Sequence, residues 1–312
     1  MIAITDRLTD AFGTDRVRCH APLAPLTTFK VGGPADWLVE VQHAVDLERA
    51  IAIARQARIP ITVLGGGSNV LVSDAGVRGI VVRVHGGEVR DIDASTVRAD
   101  AGVTINGLVR WTVNRGLAGI EAWAGTPGTV GGAVYGNAHF RGRLISELIV
   151  AVRLVTIDGT MQEVPRAEMG FAYDYSRLHH THEIVVSADF TVSAGEPTAL
   201  RETARESLAF RKRTQPLESP SAGCIFQNPD PQRERVPDGI PPSAGALVDR
   251  AGLKGAREGS ARVSTTHANF IVNEGSASAR DIRALIDRCK SEVQTQFGVV
   301  LREEIVCLGE GD

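Results

Sequence analysis

The chain of 312 residues has little of what marks several large protein classes. It has only four cysteines, Cys19, Cys224, Cys289 and Cys307, and they lie far apart. No CxxC pair occurs, so neither a zinc ribbon nor a disulfide framework is indicated, and reduced thiols are the simplest reading. No run approaches the roughly 18 apolar residues of a membrane-spanning helix. The opening MIAITDRLTDAFG has acidic residues where a signal peptide needs an apolar stretch. An excess of one charge is missing too. A net charge of −3 leaves no footprint for nucleic acid or an anionic membrane. Histidines and carboxylates show no metal-ligand spacing such as HExxH, so no metal is expected. These absences predict a cytoplasmic protein without a nucleic-acid or membrane partner.

The composition that remains suits a globular protein. Hydrophobic residues make up 43% and charged residues 23%, enough for a proper core. The length predicts two or three domains. Residues 4–13 read as a short amphipathic helix. Residues 45–57 read as another, with Leu47, Ala50, Ile51 and Ala54 at helical spacing and Pro60 as its stop. ITVLGGGSNVLVSD reads as strand, glycine loop, strand, and 78–84 and 95–102 are β-rich. Residues 104–115 place Ile105, Leu108, Val109 and Val113 on one helical face. A hairpin with Asp158-Gly159 at its turn follows, then FAYDYSRL (171–178) and EIVVSADFTV (183–192) complete the region. Residues 198–212 form a charged helix leading into a new domain, and 229–243 form a Pro- and charge-rich loop. RVSTTHANFIVN reads as strand plus turn. Ser278 and Asp281 make a capping box for the last helix, Gly298 ends it, and VVLREEIVCL is a final strand.

Two glycine-rich stretches organise the rest. Residues 124–138, AGTPGTVGGAVYGNA, hold five glycines in a nearly uncharged run. A packed helix interior does not favour that, since each glycine costs about 1 kcal/mol relative to alanine. Side-chain-poor backbone suits close approach to something large, flat and partly apolar, and a flavin dinucleotide fits. A tight turn between core elements is the alternative. The second stretch is LGGGSNVLV (64–72). It lacks the Lys-Ser/Thr of a Walker A loop. It is not the Rossmann fingerprint either, because Val70 stands in the third glycine's place and a strand follows. A nest from Gly65 to Asn69 remains, whose N–H groups could hold a pyrophosphate.

TTFKVGGPAD, LGGGSNVLV, AGTPGTVGGAVYGNA, SAGCIFQNP, THANFIVN and LREEI occur in this order from about residue 27 to residue 309. Together they resemble the UDP-N-acetylenolpyruvoylglucosamine reductase (MurB) family, in its shorter, type II-like form. The resemblance implies an α+β fold: an FAD-binding domain of the vanillyl-alcohol-oxidase (PCMH) type, with two subdomains, plus a small C-terminal α/β substrate domain. Boundaries are expected at 1–90, 91–197 and 198–312. FAD and NADPH are the implied cofactors. The substrate would be UDP-N-acetylglucosamine enolpyruvate and the state monomeric. The implied cofactor contacts are Gly65, Gly66, Gly67, Ser68, Asn69, Val70, Gly125, Thr126, Pro127, Gly128, Val130, Gly131, Gly132, Ala133 and Asn137.

The implied chemistry adds hydride to the terminal carbon of the enolpyruvyl double bond and a proton to the other carbon. Charge builds on the carboxylate meanwhile, so the site needs a neutral acid and groups that stabilise an anion. Cys224 matches the family's proton donor, more often serine. A thiol with an ordinary pKa near about 8.5 is mostly protonated at neutral pH. Glu304 matches the family's catalytic glutamate, with Glu303 its surface neighbour. The family pattern Tyr-Arg-x-Ser, whose arginine helps stabilise the enolate, reads here Tyr173-Asp174-Tyr175-Ser176. Asp174 cannot stabilise an anion. Arg177 could fold back into the role, or a different cation serves.

Tyr173, Arg211, Asn228 and His267 are the implied substrate contacts. Lys212 and Arg213 are further candidates for the diphosphate, or a solvated helix end. Thr214 stands where a substrate lysine is usual, Gln227 where lysine or glutamine occurs, and His267 and Asn269 look like a domain-closing motif. Two other readings stay open: a flavoprotein of the same fold acting on another substrate, and a flavin-binding protein that has lost catalysis.

Overall fold

A computed structural model describes residues 2–309. Two compact units are present. The first takes the residues up to Ala21, then Asp36–Gly66 and Gly79–Phe210. The second takes Pro22–Ala35, Gly67–Arg78 and the residues from Arg211 onward.

The first unit is built on two sheets. One has four strands in the order Val17–Pro22, Pro34–Val41, Val77–Val84, Ile61–Leu64, the last two parallel. The other is antiparallel, in the order Met161–Pro165, Ile149–Val155, Ile184–Thr191, Thr96–Asp100, Val89–Asp93. Val152 and Leu154 are buried with the less buried Arg153 between them, as alternation predicts, whereas the neighbouring strand is buried on both faces from Val185 to Phe190. Arg98 and Asp189 face each other on neighbouring strands and join at 2.5 Å, so two buried charges neutralise one another.

The helical periodicities hold. Helix Ala44–Ala57 buries Leu47, Ala50, Ile51 and Ala54. Helix Ile105–Asn114 buries Ile105, Leu108, Val109 and Val113, and its cap Thr104 accepts from Gly107 N at 3.0 Å.

The second unit has its own core. Phe29, Val31 and Leu71, far upstream in sequence, pack with Ile225, Phe226, Leu247, Ile282, Ile286 and Val293. A three-stranded antiparallel sheet runs in the order Arg257–Glu258, Ala261–Val263, Ile271–Asn273. Helix Ala279–Phe297 starts at the Ser278–Asp281 capping box and stops at Gly298, whose φ is 71°.

Three elements differ from expectation. The stretch 124–138 contains a helix, Val130–Tyr135. Close approach outweighs propensity there: Gly131 N donates to Ala101 O at 2.9 Å, and a Cβ on Gly131 would lie 3.1 Å from the Ala101 Cβ. Residues 171–178, where a fold back by Arg177 was one option, form a turn that leads away from it. Ala172 and Tyr175 close a two-residue turn on each other, and helix Leu178–Thr181 follows. The final strand is short. Only Val306–Leu308 pairs continuously, parallel to Val70–Val72, while Glu303 forms an isolated bridge with Phe226.

Candidate active site

In the first unit the two glycine stretches meet. A Cβ on Gly65 would lie 2.5 Å from Thr129 Oγ1, and one on Gly66 would lie 2.7 Å from the Cα of Gly128. Neither position admits a side chain. Gly125 and Gly128 have φ of 83° and 98°, a region that favours glycine. Asn106, which the sequence reading did not single out, clamps this loop. Its Oδ1 accepts from Gly125 N at 2.7 Å and its Nδ2 donates to Thr126 O at 3.3 Å. Its position, in the first turn of the preceding helix, was the available signal.

The chain fits a dinucleotide at this place. Gly66, Pro127 and Gly132 are exposed, and the two glycines bring no side chain of their own. Beside them Thr129 Oγ1 is buried and has no hydrogen-bond partner among the described residues. Val130 and Ala133 are buried instead, so their side chains hold the helix to the core. Asn137 is fully buried. Its Oδ1 accepts from Ser146 N at 3.1 Å and its Nδ2 donates to Ala172 O at 2.7 Å, so its amide is committed to the protein.

In the second unit Gly67 has φ of 61° and its carbonyl accepts from Thr28 N at 2.9 Å. The loop then turns toward the C-terminal segment. Asn69 Nδ2 donates to Glu304 O at 3.0 Å, and Asn69 O accepts from Val306 N at 2.9 Å. The Asn69 amide thereby links this loop to the C-terminal segment through one of its two N–H donors. Ser68 and Val70 are half-buried on either side of it.

The same unit sets Cys224 and Glu304 on adjoining segments. Glu304 N donates to Ile225 O at 2.8 Å, and Gln227 N to Arg302 O at 2.9 Å. The neighbours of Glu304 are committed elsewhere. Arg302 pairs with Glu234 at 2.9 Å, and Glu303 pairs with Arg283 at 2.9 Å and Lys290 at 3.0 Å. Glu303 is therefore not the bare surface residue expected of it. Burial opposes its ionisation, but the hydrogen bonds from Lys290 and Arg283 outweigh this and hold its carboxyl below the ordinary value.

Cys224 is half-buried and follows Gly223, whose φ is 84°. The segment after it is fixed by Asn269. Asn269 O accepts from Ile225 N at 2.8 Å, its Oδ1 accepts from Phe226 N at 2.9 Å, and its Nδ2 donates to Phe226 O at 2.7 Å. THANFIVN thus serves as an anchor for the cysteine segment within one unit. His267 Nδ1 accepts from Asn269 N at 3.3 Å, and burial followed by the Lys254 charge pushes the His267 pKa down. Asn228 Oδ1 accepts from Ala244 N at 3.1 Å, at the start of helix Ala244–Arg250.

Arg211 is 5% exposed, whereas Lys212 and Arg213 beside it are exposed. Burial lowers the Arg211 pKa to about 10, and the nearby Cys224 sulfur acts in the opposite sense. This unit thus holds a buried guanidinium whose charge interacts with the thiol.

The turn 172–175 lies in the first unit. Tyr173 is 40% exposed at its tip. Asp174 is buried, with Oδ1 2.9 Å from His139 Nδ1. Ser176 Oγ donates to Tyr135 O at 2.6 Å. Arg177 does not fold back toward Asp174's place. Its Nε and Nη2 grip Glu183 at 2.9 and 2.7 Å, and its Nη1 reaches Glu168 O at 3.3 Å. The guanidinium is spent on the loop, because the turn at 172–175 redirects the chain before Arg177.

Residues 35–165 match the family described as "FAD binding domain", and residues 215–308 match "UDP-N-acetylenolpyruvoylglucosamine reductase, C-terminal domain". The chain is 40% identical to UDP-N-acetylenolpyruvoylglucosamine reductase 2 of Symbiobacterium thermophilum, over 94% of this chain and 92% of that one. It is 37% identical to the UDP-N-acetylenolpyruvoylglucosamine reductase of Gloeobacter violaceus, over 95% and 98%. Among solved structures it resembles the UDP-N-acetylenolpyruvylglucosamine reductase of Thermus caldophilus, with a TM-score of 0.76, 35% identity, and 94% and 98% of the two chains covered. Among the described residues no helix is long and apolar enough to cross a membrane.

Proposed function

The chain belongs to the UDP-N-acetylenolpyruvoylglucosamine reductase family, and from that premise we propose that it reduces UDP-N-acetylglucosamine enolpyruvate to UDP-N-acetylmuramate with NADPH, in the cytoplasm, as a step of peptidoglycan synthesis. When bound, FAD supplies the hydride that NADPH has delivered. The two sheets of the first unit support two subdomains meeting near residue 90, and the region from Arg211 onward supports a substrate domain. Gly65, Gly66, Gly125, Pro127, Gly128 and Gly132 present backbone to the cofactor, and the buried Thr129 hydroxyl is an additional donor toward it. Gly67 and Ser68 serve the diphosphate, while Asn69, Val70, Val130, Ala133 and Asn137 shape the loops.

Cys224 gives a proton to the carbon next to the carboxylate as hydride reaches the terminal carbon. Atoms balance: the double bond receives H⁻ and H⁺, and the thiol is left as thiolate until it is reprotonated. Arg211 offsets that thiolate charge during turnover. Glu304 acts as the carboxyl group beside the thiol. Tyr173, Arg211, Asn228 and His267 contact the sugar nucleotide. Arg177 is structural. The monomeric state belongs to the same reading.

The observation that carries this reading is the Cys224 segment, ladder-bonded to the Glu304 segment in the same unit as the buried Arg211. The purified protein is expected to be yellow, to bleach with NADPH in the absence of oxygen, and to recover colour when the enolpyruvyl sugar nucleotide is added. Bleaching without recovery would point to another substrate, and no bleaching to a lapsed enzyme.

A further inference from the structure

Asp174 stands where the family pattern has arginine, yet the chemistry still calls for a positive group to meet charge gathering on a carboxylate. Asp174 is not a solvated replacement. Its side chain is 6% exposed, and its backbone has φ of 51° inside the turn closed by Ala172 and Tyr175. Oδ1 lies 2.9 Å from His139 Nδ1, and Oδ2 is buried without a donor among the described residues. A carboxylate removed from water with one partner is costly unless that partner brings charge to it.

His139 sits on the short strand His139–Phe140 with a quarter of its side chain exposed. Its ring lies against Tyr173, centroids 4.8 Å apart. With Nδ1 turned to Asp174, ring geometry directs Nε2 away from it. Arg177 is gripped by Glu183 and offers no alternative.

We propose that His139 and Asp174 together replace the missing arginine. His139 is the group that meets the charge on the enolpyruvyl carboxylate, and Asp174 is a positioning residue that holds it. The Nδ1–H donates to Asp174 Oδ1, and a ring that carries protons on both nitrogens presents its Nε2–H outward as a directed donor. The pair carries no net charge, unlike an arginine, so it acts through one aimed hydrogen bond more than through long-range field. This inference rests on the enolpyruvyl sugar nucleotide being the substrate.

The test uses flavin-loaded protein and both half-reactions. His139→Gln should slow re-oxidation by the enolpyruvyl sugar nucleotide by about 100-fold, the scale of losing one anion-stabilising donor, with NADPH reduction unchanged. Asp174→Asn should lower kcat by about tenfold or more while KM changes less, because the ring loses its orientation. Asp174→Glu should recover part of that loss. Introducing Asp174→Arg into His139→Ala should restore re-oxidation above that of His139→Ala alone.

Nitrogen-15 spectra of the eight histidines, with His139 assigned by its loss in His139→Gln, read the pair without turnover. Asp174→Asn should shift the His139 Nδ1 resonance, and an unmoved resonance overturns the pairing. Wild-type re-oxidation in His139→Gln, beside a wild-type protein that turns over, overturns the catalytic role. A wild-type protein that never re-oxidises sinks the substrate reading instead, and the spectra still judge the pair.

Discussion

Gly66 approaches Gly128 so closely that a Cβ on Gly66 would lie 2.7 Å from the Gly128 Cα. The obstacle is backbone, which cannot rotate aside. Gly66→Ala is therefore expected to lower stability by about 1–3 kcal/mol, as overpacking does, and to lower flavin content with it. Gly132 is the control. It lies inside helix Val130–Tyr135, and the nearest atom to a Cβ there is Thr129 Oγ1 at 3.8 Å, so the protein itself has room. Gly132→Ala should leave the apo-protein as stable or up to about 1 kcal/mol more stable. If the flavin lies over this glycine, flavin content should nevertheless fall. Thermal midpoints of apo-protein beside flavin absorbance separate the two cases.

Cys224→Ala is expected to spare bleaching by NADPH and to slow recovery by substrate at least about 100-fold, the scale of losing a general acid. Stopped-flow absorbance of each half-reaction checks this. Equal losses in both half-reactions would remove the proton-donor role.

Arg177→Ala is expected to be a stability variant. It leaves Glu183, with a side chain 9% exposed, facing an empty place, at a cost of about 2–3 kcal/mol. Burial opposes Glu183 ionisation, but the hydrogen bonds from Thr181 and Arg177 prevail and its pKa lies below the ordinary 4.5. A depressed carboxylate pKa stabilises the fold above the unfolded value and loses that contribution as pH falls through the folded one. The gap in melting temperature between wild type and variant should thus be full at pH 7 and shrink below about pH 4.5. Turnover per flavin at pH 7 should be unchanged. Slowed turnover would return Arg177 to the catalytic list.

Asn269→Ala is expected to cost about 2–4 kcal/mol, because Phe226 loses partners for both its N–H and its carbonyl. The Cys224 segment leaves its place with it, so substrate-dependent re-oxidation should fall more than NADPH-dependent reduction. Denaturant unfolding together with the two half-reactions measures both effects. Retention of full stability would show that the ladder is not an anchor.

Local sequence settled the elements whose cause is local. The spacing of Leu47, Ala50, Ile51 and Ala54, the Ser278–Asp281 box, the Gly298 stop and the six ordered motifs were all readable, because periodicity, capping and glycine backbone freedom act within a few residues. Tertiary packing decided the rest. Gly131 belongs to a helix because Ala101 comes within reach of it, and VVLREEIVCL pairs continuously only over Val306–Leu308, where Val70–Val72 lies alongside. Phe29 and Leu71 share a core with Ile286 across more than two hundred residues of chain. Arg177 closes on Glu183 while Asp174 closes on His139. The four residues in those pairs were visible as letters, but which charge meets which is fixed by a turn at 172–175 that no periodicity announces. Partner choice between charges depends on distances through space, and those exist only once the chain has folded.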